Sequence, residues 1–123
     1  MSLGPEDVRR LALALPGAEA GAHMGKADFR VGGKIFATLH ADGAVVLKFR
    51  PEQQALRVAE WPALFAPVAG GWGRQGWTRL APGTVEAEML QDALAAAWRN
   101  VAPKRLAKAL DEAADDLPGS RST

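Results

Sequence analysis

Two tryptophans, an arginine and a glutamine are grouped in one glycine-rich stretch, GGWGRQGW, at residues 70–77. Exposed indoles stack on nucleobases, and a guanidinium binds phosphate oxygens or guanine edges with two hydrogen bonds. The stretch therefore indicates a nucleic-acid contact through Trp72, Arg74 and Gln75. The structural alternative is that the glycines let the chain bend into a strand while the tryptophans pack the sheet. We expect Trp77 to pack inward and Arg74 and Gln75 to project at a loop tip, whereas Trp72 can be buried or exposed.

Basic residues are the second source of candidate chemistry, and their distribution is uneven. Residues 26–50, 70–80 and 99–108 hold eleven basic and two acidic residues, against four basic and twelve acidic in the remainder. The net charge of +1 does not itself indicate a nucleic-acid binder, for which a pI above about 9 is usual. The distribution favours a polyanion partner if these side chains converge on one outward surface, as we expect. The alternative is an ordinary solvated face. The eleven residues are Lys26, Arg30, Lys34, Lys48, Arg50, Arg74, Arg79, Arg99, Lys104, Arg105 and Lys108.

No pattern in the chain indicates catalysis or a bound cofactor. There is no cysteine, which excludes disulfides, thiol nucleophiles and zinc–thiolate sites. His23 and His40 lack the spacing of a metal site, so we expect them to be exposed loop residues. The serines Ser2, Ser120 and Ser122 lie at the termini, where nothing orients a nucleophile. We therefore expect a protein that is not an enzyme and that uses no metal or cofactor.

Helical periodicity predicts four elements. The first helix covers residues 5–15, and the second covers 51–60 and ends at the Trp-Pro pair that follows. The third covers residues 84–101 with Thr84 as its N-cap, and Pro103 then starts a shorter helix over residues 104–110. The apolar stripe of the third helix is formed by Leu90, Leu94, Ala97, Trp98 and Val101.

Between residues 28 and 49 the apolar period changes to two, which predicts a three-stranded meander. Gly32-Gly33 and Asp42-Gly43 are the signals for its two tight turns. The face expected to point to the core carries Phe29, Val31, Ile35, Ala37, Leu39, Val45, Leu47 and Phe49. The opposite face carries Arg30, Lys34, Phe36, Thr38, Val46 and Lys48, and is therefore basic with apolar insertions.

Other segments complete the predicted organisation as one domain. The sequence WTRL at residues 77–80 predicts a further strand, whereas residues 19–25 lack a period and indicate a surface connection. A chain of 123 residues suits a single core, here about residues 5–110, with a frayed tail at 112–123. No apolar run approaches the ~20 residues that span a bilayer. We therefore expect a cytoplasmic protein with no membrane contact.

Three segments in succession resemble the MmcQ/YjbR-like family of small bacterial proteins: HMGKADFRVGGKIFATL, GGWGRQGWTRL and AAAWRNVAPKRL. The stretch LALALPGAE is similar to the first helix of that family, so the resemblance covers about residues 5–110. It implies an α+β fold with helices on one side of a curved antiparallel sheet, related to secretion-chaperone-like folds. It also implies DNA binding through a double-wing arrangement, and it implies no catalytic residues.

The residues and the resemblance together predict a non-enzymatic bacterial DNA-binding protein. The candidate contact residues are Arg30, Lys34, Lys48, Trp72, Arg74, Gln75 and Arg79. Nothing resembles a recognition helix, so we expect binding without sequence-specific readout. The alternative is a protein-interaction or chaperone-like module, or a homodimer, that uses Phe36, Val46 and Trp72 on an open sheet face. A small-molecule site between sheet and helices is a third hypothesis, for which the sequence shows no convergent polar residues.

Overall fold

An open antiparallel sheet is the central element of the fold. The computed structural model describes residues 4–23, 26–81 and 85–115, with the backbone alone for residue 23 and residues 113–115. The strands are β1 (Glu19–His23), β2 (Lys26–Val31), β3 (Lys34–Leu39), β4 (Val45–Lys48), β5 (Phe65–Pro67) and β6 (Trp77–Leu80). The helices are α1 (Pro5–Leu13), α2 (Pro51–Glu60), α3 (Gly71–Arg74), α4 (Ala87–Val101) and α5 (Lys104–Asp115). Within the described ranges the strands form one six-stranded sheet in the order β1-β2-β3-β4-β6-β5.

The meander of β2, β3 and β4 has the predicted turns. Gly32 and Gly33 have φ angles of 59° and 80°, left-handed values that a side chain disfavours, and they connect β2 to β3. Gly43 has a φ of 88° in the next turn, where the Asp42 carboxylate accepts a hydrogen bond from the Ala44 backbone N–H at 2.9 Å. The glycine signals therefore predicted both reversals correctly.

Strand β1 replaces most of the predicted surface connection at residues 19–25. It pairs antiparallel with β2 from Glu19 opposite Arg30 to His23 opposite Lys26, and Met24 and Gly25 lie outside the described residues. The prediction was wrong because β1 is an edge strand of mostly small residues, which carry no apolar alternation. Gly21 is required there, since a Cβ at this position would lie 2.7 Å from the carboxylate of Asp28.

A β-bulge in β3 reverses three side chains relative to the prediction: those of Lys34, Ile35 and Phe36. Phe29 pairs with Ala37 but Arg30 pairs with Ile35, so Phe36 is the extra residue on β3. Phe36 is completely buried in the core, whereas Ile35 lies on the other face. The assignment of Ile35 to the core face and of Phe36 to the open face was therefore wrong.

The four longer helices, α1, α2, α4 and α5, pack on one side of the sheet and close the core there. The predicted stripe of α4 is confirmed: Leu90, Leu94 and Trp98 are buried, and the Trp98 indole N–H donates a hydrogen bond to the carbonyl of Pro16 at 3.0 Å. This helix begins at Ala87 with Glu86 in the N-cap position, whereas the predicted cap, Thr84, lies outside the described residues. No helix in the described ranges is long and apolar enough to cross a membrane.

Helix α5 runs to Asp115, five residues beyond the predicted end of the last helix at residue 110. Residues 116–123 lie outside the described part of the chain. Leu106, Ala107 and Leu110 of this helix pack against the core. The architecture is thus the expected α+β single domain, an antiparallel sheet with helices on one side. The side opposite the core is called the outer face below.

Candidate functional site

The outer face contains an open groove of about 400 Å³, lined mainly by apolar groups. Strands form its floor, and the one-turn helix α3 forms one wall. The lining residues are Lys26, Ile35, Thr38, His40, Val46, Val68, Trp72 and Trp77. We call this feature the tryptophan groove. It is a site where a ligand can bury apolar surface against a rigid sheet.

Strand register places Trp77 on the outer face. Residues directly opposite each other in an antiparallel pair share a face, and Trp77 stands opposite Lys48. Thr78 and Leu80 alternate to the core side and are buried, so Trp77 does not pack inward as expected. The signal was present in WTRL, because an inward Leu80 places Trp77 and Arg79 together on the other face.

The two tryptophans of the glycine-rich stretch contact each other. Their ring centroids are 5.6 Å apart and the ring planes are at 71°, an edge-to-face arrangement. Trp72 remains 62% exposed, whereas Trp77 is partly buried. The open question from the sequence is therefore answered: Trp72 presents its indole to solvent beside the groove.

Close backbone contacts explain the glycines of this stretch. A Cβ on Gly73 would lie 1.8 Å from the carbonyl oxygen of Val68, and a Cβ on Gly76 would lie 2.0 Å from that of Phe49. Gly76 also has a φ of 108°, which side chains disfavour. The expected tight bend into β6 is confirmed, with helix α3 as an additional turn within it.

Gln54 connects helix α2 to the wall of the groove. Its side-chain amide lies 3.0 Å from the carbonyl oxygens of Gly73 and Trp77 and 3.2 Å from the hydroxyl of Thr78. The Thr78 hydroxyl in turn donates to the carbonyl of Gly76 at 2.8 Å. These hydrogen bonds hold α3 against the start of β6, and so position both indoles. The role of Gln54 has no local signal in the sequence, because its hydrogen-bond partners lie 19 to 24 residues away.

Lys48 lies at the same end of the groove as the two indoles. Its ammonium nitrogen is 5.3 Å from the Trp77 ring centroid and 3.5 Å from the carbonyl oxygen of Gln75. The backbone carbonyl of Lys48 accepts a hydrogen bond from the side chain of Asn100 at 2.8 Å. Lys48 forms no ion pair within the described ranges, and the same is true of Lys26 and Arg74.

Arg30 lies on the outer face but is bound to an acid. Its guanidinium donates two hydrogen bonds to the buried Asp28 carboxylate, at 2.8 and 3.0 Å. The hydrogen bond and the charge of Asp28 raise the pKa of Arg30 above its ordinary value. A phosphate would have to compete with this bidentate pair, so Arg30 is a weak candidate for a contact.

Arg79 also forms a salt bridge, with Asp42 in the turn after β3. The pKa of Asp42 is lowered, first by the hydrogen bond from the Ala44 backbone and then by Arg79. The carboxylate is therefore ionised at neutral pH and holds its partner. Both strand arginines among the predicted contact residues are thus paired with acids.

Lys34 points away from the groove, because it stands opposite Val31, whose side chain is in the core. The seven predicted contact residues therefore divide into two groups. Lys48, Trp72 and the backbone of Gln75 lie at one end of the outer face, with Arg74 next to them in α3, and Arg30, Lys34 and Arg79 do not join them. The predicted residues omitted Lys26, Ile35 and Trp77, which line the groove.

The eleven basic residues of the three windows do not form one surface, so that expectation was wrong. Arg99 belongs to α4, and Lys104, Arg105 and Lys108 belong to α5, on the helix side of the sheet. Arg99 pairs with Asp111, and Lys108 approaches Glu112 at 4.0 Å. Arg50 is the N-cap residue of α2. The cations that remain beside the groove are Lys26 at one end, and Lys48 and Arg74 at the other. We call these three residues the cation cluster.

His40 is half-buried at the groove, not exposed as expected. Burial is the main cause that lowers its pKa, and the charge of Lys26 lowers it further. His23 contributes only backbone to the described structure. Among the described residues, no group of three His, Cys, Asp or Glu side chains is placed to hold a metal ion.

A second groove of about 300 Å³ lies between α2 and α4 on the helix side. Arg57 covers part of it: its guanidinium lies 5.2 Å from the Phe49 ring centroid and 5.6 Å from that of Phe65, and it pairs with Asp92 at 2.8 Å. Arg57 is the one basic residue among those lining this groove, and it is paired with Asp92, so the groove lacks the free cations of the outer face.

Comparison with known proteins supports the fold assignment. The family model YjbR matches residues 13–100, a range that contains every residue lining the tryptophan groove. A crystal structure of Deinococcus radiodurans protein DR2400, with family-model domain DUF419, has a TM-score of 0.70 and 23% sequence identity to this chain. The alignment covers 98% of this chain and 96% of that one. Among curated proteins there is no match.

Proposed function

Since the chain belongs to the YjbR family, we propose that it is a non-enzymatic bacterial protein that binds nucleic acid on its outer face. The observation that carries the proposal is the cation cluster: Lys26 lies at one end of the tryptophan groove, Lys48 and Arg74 lie at the other, and none of the three forms an ion pair within the described ranges. Unpaired lysine and arginine side chains bind phosphates and release the counterions condensed on them. The bacterial cytoplasm, where nucleic acid is accessible, is the proposed location.

Binding is proposed to depend on charge and not on base sequence. The helices that flank the core lie behind the sheet, so none of them is presented for insertion into a major groove. The cluster contacts are therefore to the phosphate backbone. Affinity for different sequences of equal length should be similar, and it should fall steeply with salt.

The proposal that the protein is not an enzyme rests on the lining of the groove. No carboxylate or thiol is among its eight lining residues, so no acid–base pair of carboxyl groups faces a bound ligand. His40 is the lining residue that titrates nearest neutral pH, and its lowered pKa favours the neutral form. A neutral imidazole beside an apolar floor suits binding.

Fluorescence anisotropy with a labelled oligonucleotide tests the proposal. We expect binding at ~50 mM salt that weakens at ~200 mM, with each phosphate contact adding roughly 0.7–0.9 to the logarithmic slope. Lys48→Ala should lower both affinity and slope, because it removes one member of the cluster. Lys34→Ala is the matched control, since this exposed lysine lies on the other side of the sheet and its loss should leave binding unchanged. Absence of binding at ~50 mM salt would exclude the function.

A protein-interaction module is the second candidate, and the apolar floor of the groove favours it. Ile35 and Val46 lie beside the exposed Trp72, an arrangement that can bury against a partner or a second copy of the chain. Phe36, one of the contact residues predicted for this hypothesis, is buried in the core, and Ile35 is the residue of β3 that lies on the outer face. Light scattering separates the candidates: a doubled mass that salt does not change favours a homodimer, and salt-sensitive retention on heparin favours polyanion binding.

A further inference from the structure

The tryptophan groove has a feature that phosphate binding leaves unused, an apolar floor beneath an exposed indole. Ile35, Val46 and Val68 supply the floor, and Trp72 presents most of its surface to solvent. A ligand with charge alone has no apolar surface to place there. The ligand that fits must combine a flat apolar group with negative charge beside it.

The cations flank the groove in a way that suits such a ligand. Lys26 is on β2 and Lys48 is on β4, with strand β3 between them and an offset of four residues along the strands, so their backbones are roughly 16 Å apart across the groove. Arg74 extends the positive charge along α3, beside Trp72. Anionic groups can therefore contact the rim on two sides while a flat group occupies the space between.

Duplex nucleic acid cannot supply this group. Its base faces are stacked on each other, so only groove edges and phosphates reach a protein surface. A longer basic row across the strands would suit a duplex better, but Asp28 and Asp42 hold Arg30 and Arg79. The free cations are confined to the groove and its rim. This arrangement favours a strand whose bases are unstacked and available to an indole.

We infer that the ligand is single-stranded nucleic acid, with one base lying in the tryptophan groove against Trp72 and the flanking phosphates bound by Lys26 and Lys48. This inference rests on the proposed function and specifies its ligand. Stacking on Trp72 contributes affinity that does not depend on which base is bound, because every base has a π-face. Lys26 and Lys48 hold the backbone on either side of the inserted base.

The test compares three oligonucleotides of equal length and sequence at the same low salt: a single strand, its duplex, and a strand with abasic sites in place of its bases. Anisotropy titration should show the single strand binding about tenfold or more tighter than the other two, the range for one stacked base. Trp72→Ala should remove about tenfold of the single-strand affinity and leave duplex affinity unchanged, and Trp72→Phe should retain most of it.

Trp61→Ala is the matched control, because Trp61 is a partly exposed tryptophan at the end of α2 on the helix side. It should leave single-strand affinity unchanged. Circular dichroism should show that each variant is folded. Equal affinities for the single strand, duplex and abasic strand would overturn the inference and leave the proposed function standing. If none of the three binds, both the inference and the proposed function fail.

Discussion

Trp72 lies edge to face against Trp77, with 5.6 Å between the ring centroids, although one residue belongs to helix α3 and the other to strand β6. The contact keeps an exposed indole in a defined position beside an apolar groove, which reduces the entropy lost when a ligand stacks on it. Lys48 approaches the second ring from the neighbouring strand. The account of function depends on this combination of aromatic surface and unpaired charge.

Trp72→Ala should change the free energy of unfolding by about 1 kcal/mol or less, because the residue is exposed and contributes mainly one aromatic contact. Trp98→Ala should cost about 3–5 kcal/mol, since that indole is fully buried and leaves a cavity. Urea unfolding measures both. Similar large losses for the two variants would show that Trp72 is a core residue.

Gly73→Ala should destabilise the fold and weaken ligand binding, because the new methyl group would lie 1.8 Å from the Val68 carbonyl oxygen and force α3 to move. Gly71→Ala is the control within the same helix. A Cβ there would meet only the Arg74 guanidinium, at 3.6 Å, so its stability should stay near that of the wild type. Thermal unfolding and anisotropy compare the two, and equal behaviour would contradict the close approach.

Asp28→Asn should lower the free energy of unfolding by about 1–3 kcal/mol, because the fully buried carboxylate that binds Arg30 loses its charge. The loss is limited because the Arg30 side chain is 37% exposed, so water partly screens its charge. Asp42→Asn is the control in an exposed pair with Arg79, and should cost less stability than Asp28→Asn because solvent screens the exposed pair. Denaturant titration of both variants measures the difference. Equal costs would show that burial of Asp28 does not contribute.

His40 should make stability depend on pH. The pKa of His40 in the folded protein is below the ordinary value of 6.5. As pH falls below 6.5, the His40 imidazole therefore binds more protons in the unfolded chain than in the folded protein, which favours unfolding. The contribution of His40 to stability is therefore complete above pH 6.5 and declines as pH falls toward its folded pKa. His40→Gln should lack this component when unfolding is measured at about pH 7.5 and about pH 5. An unchanged pH dependence in the variant would contradict the assignment.

Much of the fold could be predicted because its signals are local. The glycine pairs marked the turns of the meander, and period-3.6 stripes marked α1 and α4, where Val8 and Leu94 are buried as expected. The pairing of Asp28 with Arg30 was also accessible, since residues two apart on a strand share a face. A count of charges along stretches of sequence does not show such a pairing.

Other features had no local signal. The bulge at Phe36 shifts the register by one residue, which reverses Ile35 without changing the apolar pattern. The groove depends on β4 pairing with β6, two strands that are separated in the chain by α2, β5 and α3. The proximity of Lys48 to Trp77 follows from that long-range pairing, so spacing in the sequence could not predict it.

The most direct test of the central claim removes three positive charges from the cation cluster in one variant and three from positions away from the groove in another. One variant carries Lys26→Ala, Lys48→Ala and Arg74→Ala, which removes the cation cluster. The control carries Lys34→Ala, Lys104→Ala and Arg105→Ala, three exposed positions away from the groove. Anisotropy titration with a single-stranded oligonucleotide at ~50 mM salt measures both. The account predicts that the first variant loses most of its affinity and salt dependence while the control binds like the wild type, and equal affinities for the two variants would contradict it.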